Sequence, residues 1–167
     1  SLGALNQNVG GLTLSGTSTT TTGATVNGGT LTFSNTGATT IGGPVAVNGG
    51  SLVMSGTNVN TIGGALTLSN AGIANFSGAG STLNVSGATT LNNASSMTVA
   101  NTANFTGVVT LNDQSALTLS SATATNVFSG GLTVGPSAAV TLAGNNTFGA
   151  VAGGPAGATF NNTGTLS

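Results

Sequence analysis

Asp113 is the only ionisable side chain in this chain of 167 residues, so any chemistry that needs a charged group would have to start there. Asn92, Asn93, Asn112 and Gln114 place side-chain oxygens nearby in sequence, and with them Asp113 could contribute to a calcium site or act as a lone general acid. Calcium sites draw on several carboxylates, and paired-carboxylate catalysis needs two. Ser and Thr hydroxyls are plentiful, yet the chain has no His or Lys to activate one as a nucleophile. Gly pairs such as Gly42-Gly43 and Gly63-Gly64 precede neither a Lys nor a helical pattern, so they are not phosphate loops. These residue types predict a non-enzymatic protein with no cofactor and no metal site. Asp113 is expected to be a turn residue.

Composition narrows the partners in the same way. The chain lacks Lys, Arg, His, Cys, Trp and Tyr and carries a formal net charge of −1, whereas an ordinary globular domain is about a quarter charged. Its surface must therefore be a neutral coat of Ser, Thr, Asn, Gly and Ala. With no cation to neutralise phosphates, nucleic acid is not expected as a partner. No window approaches the ~18 to 20 consecutive apolar residues of a membrane helix, so membrane insertion is not expected either. Disorder is not expected, because Val, Ile, Leu, Met and Phe make up 41 residues at regular places. The first residue is Ser1 and no signal-peptide pattern follows, so a mature product or a segment of something longer is expected.

The elements that must hold these residues repeat about every 21 positions. One apolar series is Leu14, Phe33, Met54, Phe76, Val99, Leu119, Leu142 and Phe160, with steps of 19, 21, 22, 23, 20, 23 and 18. A second is Ile41, Ile62, Leu83, Phe105, Phe128 and Phe148, with steps of 21, 21, 22, 23 and 20. A third is Val26, Val47, Leu68, Leu91, Leu111, Val134 and Val151. Self-similarity at one period marks a stacked-repeat architecture.

Within a period the pattern is strand and corner. Leu31-Thr32-Phe33-Ser34, Leu66-Thr67-Leu68 and Leu117-Thr118-Leu119-Ser120 alternate at period two, which puts the apolar residues on one face. Gly28-Gly29, Gly42-Gly43, Gly49-Gly50, Gly63-Gly64 and Gly130-Gly131 are expected to supply the positive φ of sharp corners. Three short strands and three corners in ~21 residues make one coil of a parallel β-solenoid. The chain is thus expected to be one all-β repeat domain over 1–167, of about 7 to 8 coils, with incomplete terminal coils at 1–10 and 159–167.

One corner carries its own signal. Asn27, Asn48, Ser69, Asn92, Asn112 and Gly135 align in a column, so Asn27, Asn48, Asn92 and Asn112 are expected to form a side-chain ladder. The next column reads Gly28, Gly49, Asn70, Asn93, Asp113 and Pro136, all turn-forming types.

Gly11-Leu12-Thr13-Leu14-Ser15-Gly16, Gly50-Ser51-Leu52-Val53-Met54-Ser55-Gly56 and Gly64-Ala65-Leu66-Thr67-Leu68-Ser69-Asn70 resemble the G-x-L-x-L-S-G/N units of autotransporter passenger-associated β-strand repeats, the first lacking the residue after Gly. More loosely, the chain resembles filamentous-haemagglutinin-type adhesins. The resemblance implies a right-handed parallel β-helix, export to the cell surface and a structural or adhesive role, the latter toward a host or cell-surface ligand.

The partner expected from the residues themselves is another copy of the chain. Solenoid ends expose unpaired strand edges, and neither end here shows an obvious charged or polar cap in the sequence. Placing Ser1 of one copy after Ser167 of another puts Phe160 21 positions before the next Leu14 and Val151 21 before the next Leu5. A head-to-tail homopolymer, the subunit of an extracellular filament or surface fibre, is therefore expected. The alternatives are a stalk segment of a long autotransporter-like or haemagglutinin-like adhesin, and an ice-binding solenoid. The last is suggested by outward columns at Thr13, Thr32, Thr98, Thr118 and Thr141 and at Thr67, Thr110 and Thr133.

Overall fold

Gly, Thr, Asn and Val disfavour helix, and the period-two alternation gives each short segment one apolar and one polar face. Such segments are stable only when stacked against copies of themselves. The computed structural model describes residues 1–149 together with the strand backbones at 151–152, 159–162 and 165–166. It is a parallel β-solenoid of 24 strands, three to a coil.

The first coil is β1 (Leu5–Gln7), β2 (Gly11–Leu14) and β3 (Thr19–Thr21), and the second is β4 (Ala24–Val26), β5 (Thr30–Phe33) and β6 (Thr39–Ile41). The third is β7 (Val45–Asn48), β8 (Ser51–Met54) and β9 (Val59–Ile62), and the fourth β10 (Leu66–Ser69), β11 (Ile73–Phe76) and β12 (Thr82–Val85). Next come β13 (Thr89–Leu91), β14 (Ser96–Val99) and β15 (Thr102–Phe105), then β16 (Val109–Leu111), β17 (Ala116–Leu119) and β18 (Thr125–Phe128). The seventh coil is β19 (Leu132–Val134), β20 (Ala139–Leu142) and β21 (Asn145–Phe148), and the eighth β22 (Val151–Ala152), β23 (Thr159–Asn162) and β24 (Thr165–Leu166). Every third strand joins the same sheet, giving three eight-stranded parallel sheets that begin at β1, β2 and β3.

Register is held constant while coil length varies. In the first sheet Leu5, Ala24, Val45, Leu66, Thr89, Val109, Leu132 and Val151 stand in one column, at steps of 19, 21, 21, 23, 20, 23 and 19. The corners absorb the difference. Between second and third sheets the corner is as short as Ala100-Asn101 and as long as Ser77 to Ser81. The interior is a single apolar column from Ala24 to Leu142, against which Leu5, Leu12, Leu14 and Phe148 pack at the ends. Phe105, Phe128 and Phe148 stack along the axis with ring centroids 5.1 and 4.8 Å apart.

The register departs from the expected columns at three residues. Leu83 lies opposite Asn60 and Ala103, and Val85 fills the position between Ile62 and Phe105. Phe160 lies opposite Val140 and leaves Asn162 beside Leu142. Val151 lies opposite Leu132 rather than in the column of Val134. The cause is common to all three. Residues two apart in a strand face the same way, so apolar character alone does not choose between them. Leu83 is buried all the same. Of the terminal coil expected at 159–167, only the backbones 159–162 and 165–166 belong to the described residues, and the Phe160 side chain falls outside them.

Three of the five Gly pairs supply the positive φ expected of them, and the other two serve a different purpose. Gly29, Gly49 and Gly131 have positive φ, whereas Gly42-Gly43 and Gly63-Gly64 do not. Instead Gly43, Gly64, Gly87, Gly107 and Gly130 stack one above another in the corner that leads back to the first sheet. A Cβ on Gly87 would come within 2.6 Å of the Gly64 carbonyl carbon, and one on Gly130 within 2.3 Å of the Gly107 carbonyl carbon. These glycines are needed for the closeness of successive coils.

Candidate functional site

The surface is three sheets of short neutral side chains, and no cavity opens in the described structure. What the described residues present outward is repeated ladders, corners and coil edges. The Asn column is a hydrogen-bonded ladder in two runs. Asn48 Nδ2 donates to Asn27 Oδ1 at 3.1 Å, Asn27 Nδ2 to Asn8 Oδ1 at 2.9 Å, and Ser69 Oγ to Asn48 Oδ1 at 2.8 Å. Farther along, Asn112 Nδ2 donates to Asn92 Oδ1 at 2.8 Å. No side-chain bond joins Ser69 to Asn92 among the described residues, so the two runs are separate.

At the same corner the chain changes size. Asn27-Gly28-Gly29 turns in three residues, while Asn92 to Ser95 and Asn112 to Ser115 turn in four, each closed by a bond from the last N–H to the first carbonyl. In the four-residue form Asn70, Asn93 and Asp113 are left-handed at the second position, with φ of 54°, 52° and 53°, and Ala71 and Ala94 are left-handed at the third. Pro136 cannot adopt that conformation, and Ser137 takes it at 60°. Asp113 is exposed at the tip of its corner. Asn tolerates the left-handed region as well as Asp does. Asp113→Asn is therefore expected to change stability by less than about 0.5 kcal/mol, checked by comparing melting temperatures at neutral pH.

Two Asn arrangements escaped the columns drawn from the sequence. On the outward face of the third sheet, Asn104 Nδ2 donates to Asn84 Oδ1 at 2.9 Å. Inside the same sheet, Asn126 Nδ2 donates to the buried Asn146 Oδ1 at 3.0 Å, while Asn126 Oδ1 accepts from Ala103 N–H at 2.9 Å. Asn146 also donates to the carbonyls of Ala143 and Gly144, which lie in a two-residue corner. The signal was a 20-residue spacing between like residues in each pair. Placing Leu83 two positions away from its true column hid the first of them.

The Thr columns are more continuous than the sequence indicated. In the first sheet Thr90 fills the gap between Thr67 and Thr110, giving four consecutive rungs through Thr133, and Thr25 lies in the same column beyond Ala46. In the second sheet Val53 and Asn75 interrupt the column that runs from Thr13 to Thr141.

No protein-family model, curated protein or solved structure matches the chain.

Among the described residues, the coil edge at β1 and β2 is where the core reaches solvent through three leucines. Leu5, Leu12 and Leu14 are only partly buried, although Ala24, Leu31 and Phe33 beside them in the same columns are buried. Leu2 and Val9 flank this edge at 42% and 83% exposure. It combines a row of backbone donors and acceptors with apolar side chains, which is the surface another parallel strand covers.

Proposed function

We propose that this chain is a non-enzymatic structural subunit of an extracellular filament or surface fibre, stacking head-to-tail through the edges of its β-solenoid. The observation that carries the proposal is the half-covered leucine edge at β1 and β2. A parallel coil of the same three-sided cross-section completes that edge, and a second copy of this chain supplies one. Docking of one end onto another is heterologous and does not close on itself, so its product is an open filament. A surface almost without charge adds no electrostatic repulsion between subunits. The cell-surface location follows from the resemblance to autotransporter and haemagglutinin-type repeats. In such a stack the Phe160 column continues to Leu12 of the next copy, following the observed register of Val140 with Phe160.

The test is electron microscopy and sedimentation of the purified chain over a range of concentrations. Unbranched filaments one solenoid wide are expected. A chain that stays monomeric at every concentration would sink the proposal, and a reading frame with long flanking repeats would then make it a stalk segment. The four-rung Thr column from Thr67 to Thr133 favours a second possibility, an ice-binding face. Inhibition of ice recrystallisation that is lost on Thr90→Lys would support it, and absence of inhibition would remove it.

A further inference from the structure

The tetrapeptide Val-Asn-Gly-Gly occurs twice, at residues 26–29 and 47–50, and holds the only two Asn-Gly steps in the chain. Asn-Gly carries a chemistry that needs no charged group. With no Cβ on the glycine, the backbone nitrogen after the asparagine is unhindered and its dihedrals are free, so it can reach the side-chain amide of the residue before it. One copy lies over the other in the corner that leaves the first sheet, with Asn48 above Asn27 in the ladder. The two sites match in sequence and in corner, so a difference in their reactivity has to come from the fold.

The fold treats the two copies differently. Asn48 is the last residue of β7 and lies in register with Ser69, whereas Asn27 lies outside β4. Gly49 takes the left-handed conformation in one corner, at a φ of 81°, and in the other that conformation passes to the second glycine, Gly29, at 67°. The Gly49 N–H donates to the Ser69 carbonyl at 3.0 Å, while the Gly28 N–H has no acceptor among the described residues. The side chains divide in the same way. Asn27 is exposed, and its amide bonds only to the side chains of Asn6, Asn8 and Asn48 at the surface. Asn48 is half-buried, and its Oδ1 is held by Ser69 Oγ at 2.8 Å.

We propose that Asn27 is a site of self-modification, deamidated through a cyclic imide by the Gly28 nitrogen, and that the fold holds the same sequence at Asn48 inert. In the first step the Gly28 nitrogen gives up its proton and bonds to Asn27 Cγ. The Cγ–Nδ2 bond breaks, and Nδ2 leaves as ammonia with that proton. Water then opens the imide ring at either of its C–N bonds, leaving an aspartate or an isoaspartyl linkage at position 27. The ladder accommodates an aspartate there. Asn48 Nδ2 already donates to Asn27 Oδ1 at 3.1 Å, a bond that a carboxylate strengthens. The donor lost from position 27 is replaced when the exposed Asn8 amide turns over and donates in its place. Each event adds one negative charge to a chain whose formal net charge is −1. The reaction needs no second copy, so the inference stands apart from the filament proposal.

The experiment follows both sites in one sample. The full chain is held at mildly alkaline pH, either folded in buffer or unfolded in guanidinium chloride, and then cut with chymotrypsin or thermolysin. Mass spectrometry quantifies the acid and isoaspartyl forms of the peptides that carry positions 27 and 48. In the unfolded chain the two sites are expected to react at equal rates, because their neighbours match. In the folded chain Asn27 is expected to react about tenfold faster than Asn48 or more, since Asn48 must first open the Gly49–Ser69 bond at the end of a strand. Asn27→Gln is expected to remove the acidic species that anion exchange resolves from the folded chain, with the circular dichroism of the solenoid retained. Equal rates at the two sites in the folded chain, or no reaction at either, would overturn the proposal. So would a rate ratio that persists in guanidinium chloride, which would place its cause in the sequence instead of the fold, or an acidic species undiminished in Asn27→Gln.

Discussion

Phe128→Ala is expected to lower stability by about 3 to 5 kcal/mol, the range for emptying a fully buried aromatic site. Phe128 is completely buried, and its ring is stacked between those of Phe105 and Phe148 at 5.1 and 4.8 Å. Truncation forfeits burial and both stacking contacts at once. Coils above and below are pinned by backbone ladders at a fixed spacing, so the cavity cannot collapse along the axis. The effect should exceed that of Phe148→Ala, because Phe148 is only partly buried. Val127→Ala, on the outward side of the same strand, should be nearly silent. Thermal and chemical denaturation followed by circular dichroism checks the series. A Phe128→Ala chain that melts with the parent would place that ring outside the core.

Gly87→Ala is expected to cost at least about 1 to 3 kcal/mol through overpacking, although it adds a single methyl group. That methyl would lie 2.6 Å from the Ala65 nitrogen, 2.6 Å from the Gly64 carbonyl carbon and 2.7 Å from its oxygen. All three are backbone atoms of the adjacent coil, so no side chain can rotate away. Gly87 has no positive φ, and the penalty would come entirely from the approach of successive coils. Gly11 is the matched control. It also lacks positive φ, and a Cβ there would meet nothing within 4 Å. Gly11→Ala should therefore leave stability unchanged or raise it slightly, by restricting the unfolded chain. Equal melting of the two variants would show that the stacked glycines are not in close contact.

Much of the architecture was legible before any coordinates. A neutral composition with an apolar beat near 21 residues admits few folds, because period-two segments too short to stand alone must bury their faces on copies of themselves. The column from Leu14 to Leu142 and the alignment of Asn27, Asn48, Asn92 and Asn112 stand in the structure as the sequence spaced them. Asp113 was recognisable as a corner residue because its column neighbours Gly49, Asn70 and Asn93 also tolerate left-handed backbone.

What only the tertiary structure decided was register and contact across coils. Leu83 and Val85 face the same way, and the five residues Ser77 to Ser81 of the preceding corner set which of them meets Ile62. The pairs holding Gly43, Gly64 and Gly130 were expected to supply the positive φ of sharp corners, and only the stacking distance shows that no Cβ fits at these positions or at Gly87 and Gly107. Sequence period determines the residues that can share a column, since it acts through short-range alternation. Which residue does share it depends on corner lengths and on backbone atoms about 20 residues away, and those meet only in the folded solenoid.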